Sequence, residues 1–335
     1  MVLNRSSLQQ SAESVVAPAT RGEHVVTVLS GLWMTVGLFL DGFFHQNLTS
    51  AEESFVTPWH GVFYAGFAAS VMWLVALAQR RSGGARDWRL RHLPPGYDGA
   101  RRGIVLFAAG GVGDALWHTR YGVERGIDAL LSPTHLVLFA GLVLILTTPL
   151  RALREDTTSP PGPWLVVASL TSATALAGFF LNFAWGLGIS ALARVPYNPV
   201  TGAGETALIA GVASMLVVTA VLFGAARALA ALIPPPPGAF TVLFGTVALL
   251  VSAAFDEDAE GIVAALLAGI ILDAGRRLTV RYGGVSVAAV SAGAMWLAYF
   301  ALLQIFGDPR WAPEVWLGAT VLCVLAAGAV TLPAS

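Results

Sequence analysis

Charge is scarce in this chain, cysteine is nearly absent and lysine is missing altogether. Only 12% of its 335 residues are charged and 56% are hydrophobic, whereas a soluble domain of this size carries roughly 25% charged residues. With a mean hydropathy of +0.71, that shortage argues against a soluble fold and for one solvated by lipid. The single cysteine, Cys323, excludes a disulfide framework within the chain and any CxxC redox or cysteine-zinc motif. All 19 basic residues are arginine, a compositional bias, and the net charge of −1 offers nucleic acid no basic surface. Walker loops, dinucleotide fingerprints, G-x-S-x-G elbows and HExxH zinc helices are likewise missing.

What is present is a series of apolar runs, each about as long as the 20 residues a helix needs to cross a bilayer. They cover residues 25–44, 58–79, 103–121, 134–150, 164–185, 204–230, 239–255, 259–275, 284–306 and 313–332. The expected fold is all-α: a polytopic membrane protein of about ten transmembrane helices. With the N-terminus inside, the inner segments hold fifteen arginines: Arg5, Arg21, Arg80, Arg81, Arg86, Arg89, Arg91, Arg101, Arg102, Arg151, Arg154, Arg227, Arg276, Arg277 and Arg281. The outer segments hold four, Arg120, Arg125, Arg194 and Arg310, so the positive-inside rule favours that orientation. The expected organisation is a cytoplasmic tail over 1–23, a four-helix front half over 24–150 and a six-helix half over 164–335. The segment 151–163 and the prolines 234–237 form the breaks.

Within the front half one polar pattern occurs twice. Asp41 and His45 are four residues apart, and Thr57-Pro58-Trp59-His60 follows; Asp114 and His118 are four apart, and Ser132-Pro133-Thr134-His135 follows. An i,i+4 spacing puts carboxylate and imidazole on one helix face, within reach of a single ion. The proline suits the first turn of the next helix, where its missing N–H is no loss. A hairpin of this length returns the second histidine beside the first pair. Each unit therefore offers two imidazoles and one carboxylate with open positions, a ligand set that non-haem iron, copper and zinc all accept. Ionisable residues in apolar segments point to function, and two copies make purely structural polar packing the lesser reading. Glu52, Glu53, Glu124 and Asp128 lie in the connecting loops, as imidazole-orienting partners or ordinary solvated charges. Trp59, Tyr64, Trp117 and Tyr121 would line the sites or form an interfacial belt.

At these residues the chain resembles the C subunit of the copper membrane monooxygenases, the particulate methane and ammonia monooxygenase superfamily. There an Asp-x3-His followed by a Thr-Pro-Ser-His helix start makes one copper site. An Asn-x3-His with a later Pro-x-His makes its neighbour. The resemblance covers roughly residues 38–68 and 110–142. It differs in Asp114, where the family has an amide, and in Trp59, where it has a small polar residue. It implies copper at Asp41, His45 and His60 and at Asp114, His118 and His135, with O2 and a small apolar substrate as reactants. It also implies further subunits or a homo-oligomer as partners besides the lipid bilayer.

The expected function is copper-dependent oxygenation of a small apolar molecule at two neighbouring sites on the outer face of the cytoplasmic (inner) membrane, or service as the metal subunit of such an enzyme. A non-catalytic metal-handling or transport protein is the alternative, for which only Asp273 and Asn182 offer deeper polar groups, Asp273 beside Arg276 and Arg277. A b-type haem protein ranks third, since haem ligation gives no reason for the aspartates. The acidic turn Asp256, Glu257, Asp258 and Glu260 and the helix-opening Glu205 read as solvated or helix-start charges. His24 and His92 show no partner pattern.

Overall fold

The computed structural model describes residues 17–47, 57–83, 86–122, 126–255, 259–282 and 284–331, leaving out the side chains of 276–286. Among these residues the chain is helical with no strand. The helices are α1 (Arg21–Asn47), α2 (Pro58–Arg81), α3 (Asp98–Tyr121), the short α4 (Ile127–Leu131), α5 (Pro133–Leu146), α6 (Thr148–Glu155), α7 (Pro163–Phe180), the short α8 (Ser190–Ala193), α9 (Glu205–Leu232), α10 (Ala239–Phe255), α11 (Ala259–Tyr282), α12 (Gly284–Phe306) and α13 (Pro313–Thr331). Helix is what an apolar segment must adopt in lipid, because every backbone N–H and C=O then finds a partner within the segment.

Every expected apolar run is occupied by helix, but their capacity to span differs. Among the described residues six helices are long and apolar enough to cross a membrane: α1, α2, α7, α9, α12 over Val287–Phe306, and α13. The pair α5 and α6, bent by 45°, would make a seventh, and α10 is apolar but only 17 residues long. Helix α3 has the length, but Asp98, Arg101, Arg102, Asp114 and Arg120 dilute its apolar character. The run expected over 164–185 stops short: α7 ends at Phe180, and two 3-10 turns, Asn182–Ala184 and Gly186–Gly188, carry the chain back.

The bend between α5 and α6 has a local cause. Pro149 has no N–H to continue the helical ladder. The hydroxyl of Thr148 donates instead to the Ile145 carbonyl at 2.7 Å, and Arg151 binds the Leu144 carbonyl and, at 2.7 Å, the Thr147 hydroxyl.

One continuous apolar core joins front and back, from Met34 and Phe107 through Phe179 and Val251 to Trp296 and Cys323. Helix α1 is the contact element, packing on α2 and also on α7 and α10. Helices α11, α12 and α13 follow as neighbours, with α13 closing back on α9.

The front half is two hairpins, α1 with α2 and α3 with α5. Their chain directions put the C-terminal ends of α1 and α3 and the N-terminal ends of α2 and α5 together at one end of the bundle. The opposite end, about 40 Å away along a 27-residue helix at 1.5 Å per residue, is a polar clasp. There buried His24 meets the Tyr97 hydroxyl at 3.1 Å and the Ser159 carbonyl at 3.3 Å. Trp73 donates to Thr27 at 2.9 Å, and Arg81 pairs with Glu23 at 2.6 Å. His24 thus has partners at the residue that caps α3 and on the loop before α7, despite lacking a local pattern. His92 is likewise engaged, by Asp87 at 2.9 Å.

Candidate metal centre

The hairpins cross at glycines, and this fixes where their polar ends meet. A Cβ on Gly37 would lie 2.7 Å from the Phe63 backbone, and one on Gly66 2.9 Å from that of Met34. In the second hairpin a Cβ on Gly110 would lie 3.0 Å from Leu138, and one on Gly141 2.7 Å from the Phe107 backbone. Gly37 and Gly110 stand four residues before the two aspartates, and Gly66 and Gly141 six residues after the second histidines. Their contact partners are matched as well: Met34 and Phe107 precede the aspartates by seven, and Phe63 and Leu138 follow the histidines by three. The duplication therefore extends beyond the polar motif to the helix crossing that supports it. Only a residue without a side chain permits such close backbone approach in a helix pair.

The Thr-Pro-x-His and Ser-Pro-x-His sequences are helix starts with a second task. Thr57 caps α2 by accepting the His60 N–H at 3.1 Å, and Ser132 caps α5 by accepting the His135 N–H at 3.4 Å. Each proline occupies the first turn. The same hydroxyls also hold the imidazoles, Thr57 meeting His60 Nδ1 at 2.9 Å and Ser132 meeting His135 Nδ1 at 2.6 Å. This resembles a capping box in which the third helical residue reaches back to the cap, with histidine in place of glutamate. His118 is held from the other side: its Nδ1 lies 3.1 Å from the Gly122 carbonyl.

With Nδ1 occupied, Nε2 is left to face the carboxylate. In the first site His45 Nε2 lies 3.7 Å from Asp41 Oδ1 and His60 Nε2 lies 3.6 Å from Asp41 Oδ2. The two rings are 5.0 Å apart, centre to centre. In the second site His118 and His135 each place Nε2 3.5 Å from Asp114 Oδ1, with rings 5.8 Å apart. These distances exceed ordinary hydrogen bonds, and within each set the three ligand atoms lie within 4.8 Å of one another. The six residues singled out by spacing are thus brought together as two groups that could each hold a metal ion.

The residues present fit a cation. Oδ1 of Asp41 is buried and has no hydrogen-bond partner among the described residues, a costly arrangement for a carboxylate unless positive charge stands beside it. Imidazoles anchored through Nδ1 are the usual form of metal-ligating histidine, since the second bond fixes tautomer and ring orientation.

The two sites are neighbours. Asp41 and Asp114 are close enough to act on each other electrostatically, as are His60 and the pair His118 and His135. Tyr64 stands between them, one turn after His60 with its ring 6.3 Å from the imidazole. A Cβ on Gly111, three residues before Asp114, would lie 3.3 Å from the Tyr64 hydroxyl. Trp59 stacks on Phe44 at 4.7 Å, beside the first site. Trp117 pairs with Tyr121 at 4.7 Å, and Tyr121 is 65% exposed, as befits a belt residue.

Other candidates have different roles. Glu52, Glu53, Glu124 and the turn Asp256–Asp258 lie outside the described residues. Asp128 is exposed in the first turn of α4, and Glu205 is exposed in the first turn of α9. Asp273 accepts the Thr241 N–H at 2.9 Å, the Thr241 hydroxyl at 2.7 Å and the Phe240 N–H at 3.4 Å. It closes the start of α10 from across the helix pair, while the side chains of Arg276 and Arg277 lie outside the described residues.

No protein-family model, curated protein or solved structure matches the chain. The resemblance to the monooxygenase subunit rests on the motif residues themselves.

Proposed function

We propose that this is a membrane metalloprotein in which each front hairpin holds one metal ion between two histidine Nε2 atoms and one carboxylate. The observation that carries the reading is the duplicated set of ligands, with His60, His118 and His135 each anchored through Nδ1. The metal we propose is copper, on the strength of the motif resemblance; iron and zinc suit the same donors. When bound, it would supply oxygen chemistry toward a small apolar molecule, in this chain or as the metal subunit of a larger enzyme.

The chain's own contribution is positional. Thr57, Ser132 and the Gly122 carbonyl orient the imidazoles through Nδ1, and the glycine crossings hold the helices that carry them. Tyr64, Phe63, Phe67 and Phe107 pack into one aromatic wall beneath the sites. That wall gives the sites an apolar side suited to a reactant that arrives from the lipid. The arginine distribution supports an inside N-terminus, and the ten apolar runs support ten crossings of the cytoplasmic membrane, with the sites at the outer face. Metal transport has less support, because Asp273 is already satisfied by the start of α10.

Elemental analysis of the detergent-purified full chain, beside a His45→Ala, His118→Ala double variant, tests the proposal. One to two coppers per chain, lost in the variant, would support the copper reading and call for oxygenation assays with small hydrocarbons. Stoichiometric iron or zinc would keep the sites and redirect the chemistry. No stoichiometric metal after reloading with all three would reduce the motif to polar packing.

A further inference from the structure

The two sites share ligands and helix crossings but differ one residue before the second histidine. In the second site Thr134 donates to Asp114 Oδ1 at 2.9 Å. Its hydroxyl also lies 3.3 Å from that of Ser132, which holds His135 at 2.6 Å. Hydrogen bonds therefore run from imidazole to carboxylate through two hydroxyls, and His118 is held separately by Gly122 at 3.1 Å. All three ligands are oriented, and only 2% of the Asp114 side chain is exposed.

In the first site Trp59 stands where Thr134 does. Its indole N–H is buried without a hydrogen-bond partner among the described residues, and its ring stacks on Phe44 at 4.7 Å. Among the described residues nothing replaces the threonine hydroxyl, and Asp41 Oδ1 has no donor. The two Asp41 oxygens are split between the histidines at 3.7 and 3.6 Å, and 13% of the side chain is exposed. Asp41 therefore lacks the hydroxyl hydrogen bond that orients Asp114.

We propose that the sites are unequal, the second holding metal more tightly and the first exchanging it, and that Thr134 against Trp59 sets the difference. This rests on reading both groups as metal sites. Thr134 is a positioning residue: it acts on the metal through Asp114. Partners of ligating groups typically change metal affinity 10–100-fold, so a difference of roughly that size is expected.

The test is competition titration with Cu2+ alone on the full chain in detergent. His45→Ala leaves the second site to be read, and His118→Ala leaves the first. Tighter binding in the His45→Ala protein supports the inequality. In that background Thr134→Val should weaken binding about 10–100-fold, and Thr134→Ser, which keeps the hydroxyl, should restore it. In the His118→Ala background Trp59→Thr should tighten binding, while Trp59→Phe should leave it unchanged. Equal affinities in the two backgrounds, or a Thr134→Val protein that binds like its parent, would overturn the inequality and leave both metal sites standing. Absence of Cu2+ binding in both backgrounds would instead remove the copper-site reading on which it rests.

Discussion

His118 donates from Nδ1 to the carbonyl of Gly122 at 3.1 Å. A carbonyl has no hydrogen to offer, so the proton is on Nδ1 and the Nε2 lone pair faces Asp114. The carbonyl is in place because Gly122 adopts φ +86° and ψ 178°, a conformation essentially reserved to glycine.

Gly122→Ala should therefore impair the second site through the backbone, since no described residue lies within 4 Å of an added Cβ. The strain is about 1–3 kcal/mol, relieved by moving the carbonyl that orients His118. Metal content should fall by the second site's share while the first site stays filled. Gly61→Ala, on α2 and equally open, is the control and should leave metal content unchanged.

Truncating one ligand should separate the hairpins. His60→Ala removes an Nε2 3.6 Å from Asp41 and should empty the first site, leaving the second loaded. Loss of both metals together would mean one shared centre. Asp114→Asn should be tolerated, because an amide oxygen can still accept from Thr134 and face both histidines. If that change abolishes second-site binding, the analogy with an amide-ligated copper site weakens.

The positions of most helices and the grouping of the six candidate ligands were legible because each rests on a local pattern: apolar runs for the former, i,i+4 spacing and a helix-start proline for the latter. The hydroxyls of Thr57 and Ser132 were visible as caps in principle, but their hold on Nδ1 depends on a rotamer that spacing does not specify. Thr134 reaches Asp114 across 20 positions, a pairing that only the folded hairpin reveals. The glycine crossings were hidden by abundance: among 36 glycines, nothing marks Gly37, Gly66, Gly110 and Gly141 until their partners are known. A comparison of the two motifs seven residues outward on either side would have found them. The partners of Asp273 and His24 were out of view for one reason: they lie far off in sequence, Thr241 for one and Tyr97 for the other.

The glycine crossings predict a stability effect coupled to metal binding. Gly141→Ala would push a Cβ to 2.7 Å from the Phe107 backbone, which cannot yield without separating α3 from α5. Overpacking of this kind costs about 1–3 kcal/mol. The thermal midpoint in detergent should fall, and the second site should lose affinity because its ligands ride on both helices. Gly66→Ala should do the same to the first site. A variant that keeps its stability and metal would show that the hairpins have room to slide.

At the opposite end of the bundle, the turn after α6 should make the clasp sensitive to acid. Hydrogen bonds from Thr158, through its hydroxyl at 2.6 Å and its N–H at 2.8 Å, outweigh burial and hold the Asp156 carboxyl below its usual range. Ser159, whose N–H also points to Asp156 at 3.3 Å, presents its carbonyl to buried His24. A lowered carboxyl pKa contributes stability that is fully present above the unfolded value, about 4, and is lost as pH falls through the folded one. Asp156→Ala should therefore destabilise the protein at neutral pH, and the gap to the parent should close as the pH drops below about 4. Unfolding midpoints for both proteins across that range would read the effect. A gap that stays constant with pH would mean that Asp156 acts through packing and not through its charge.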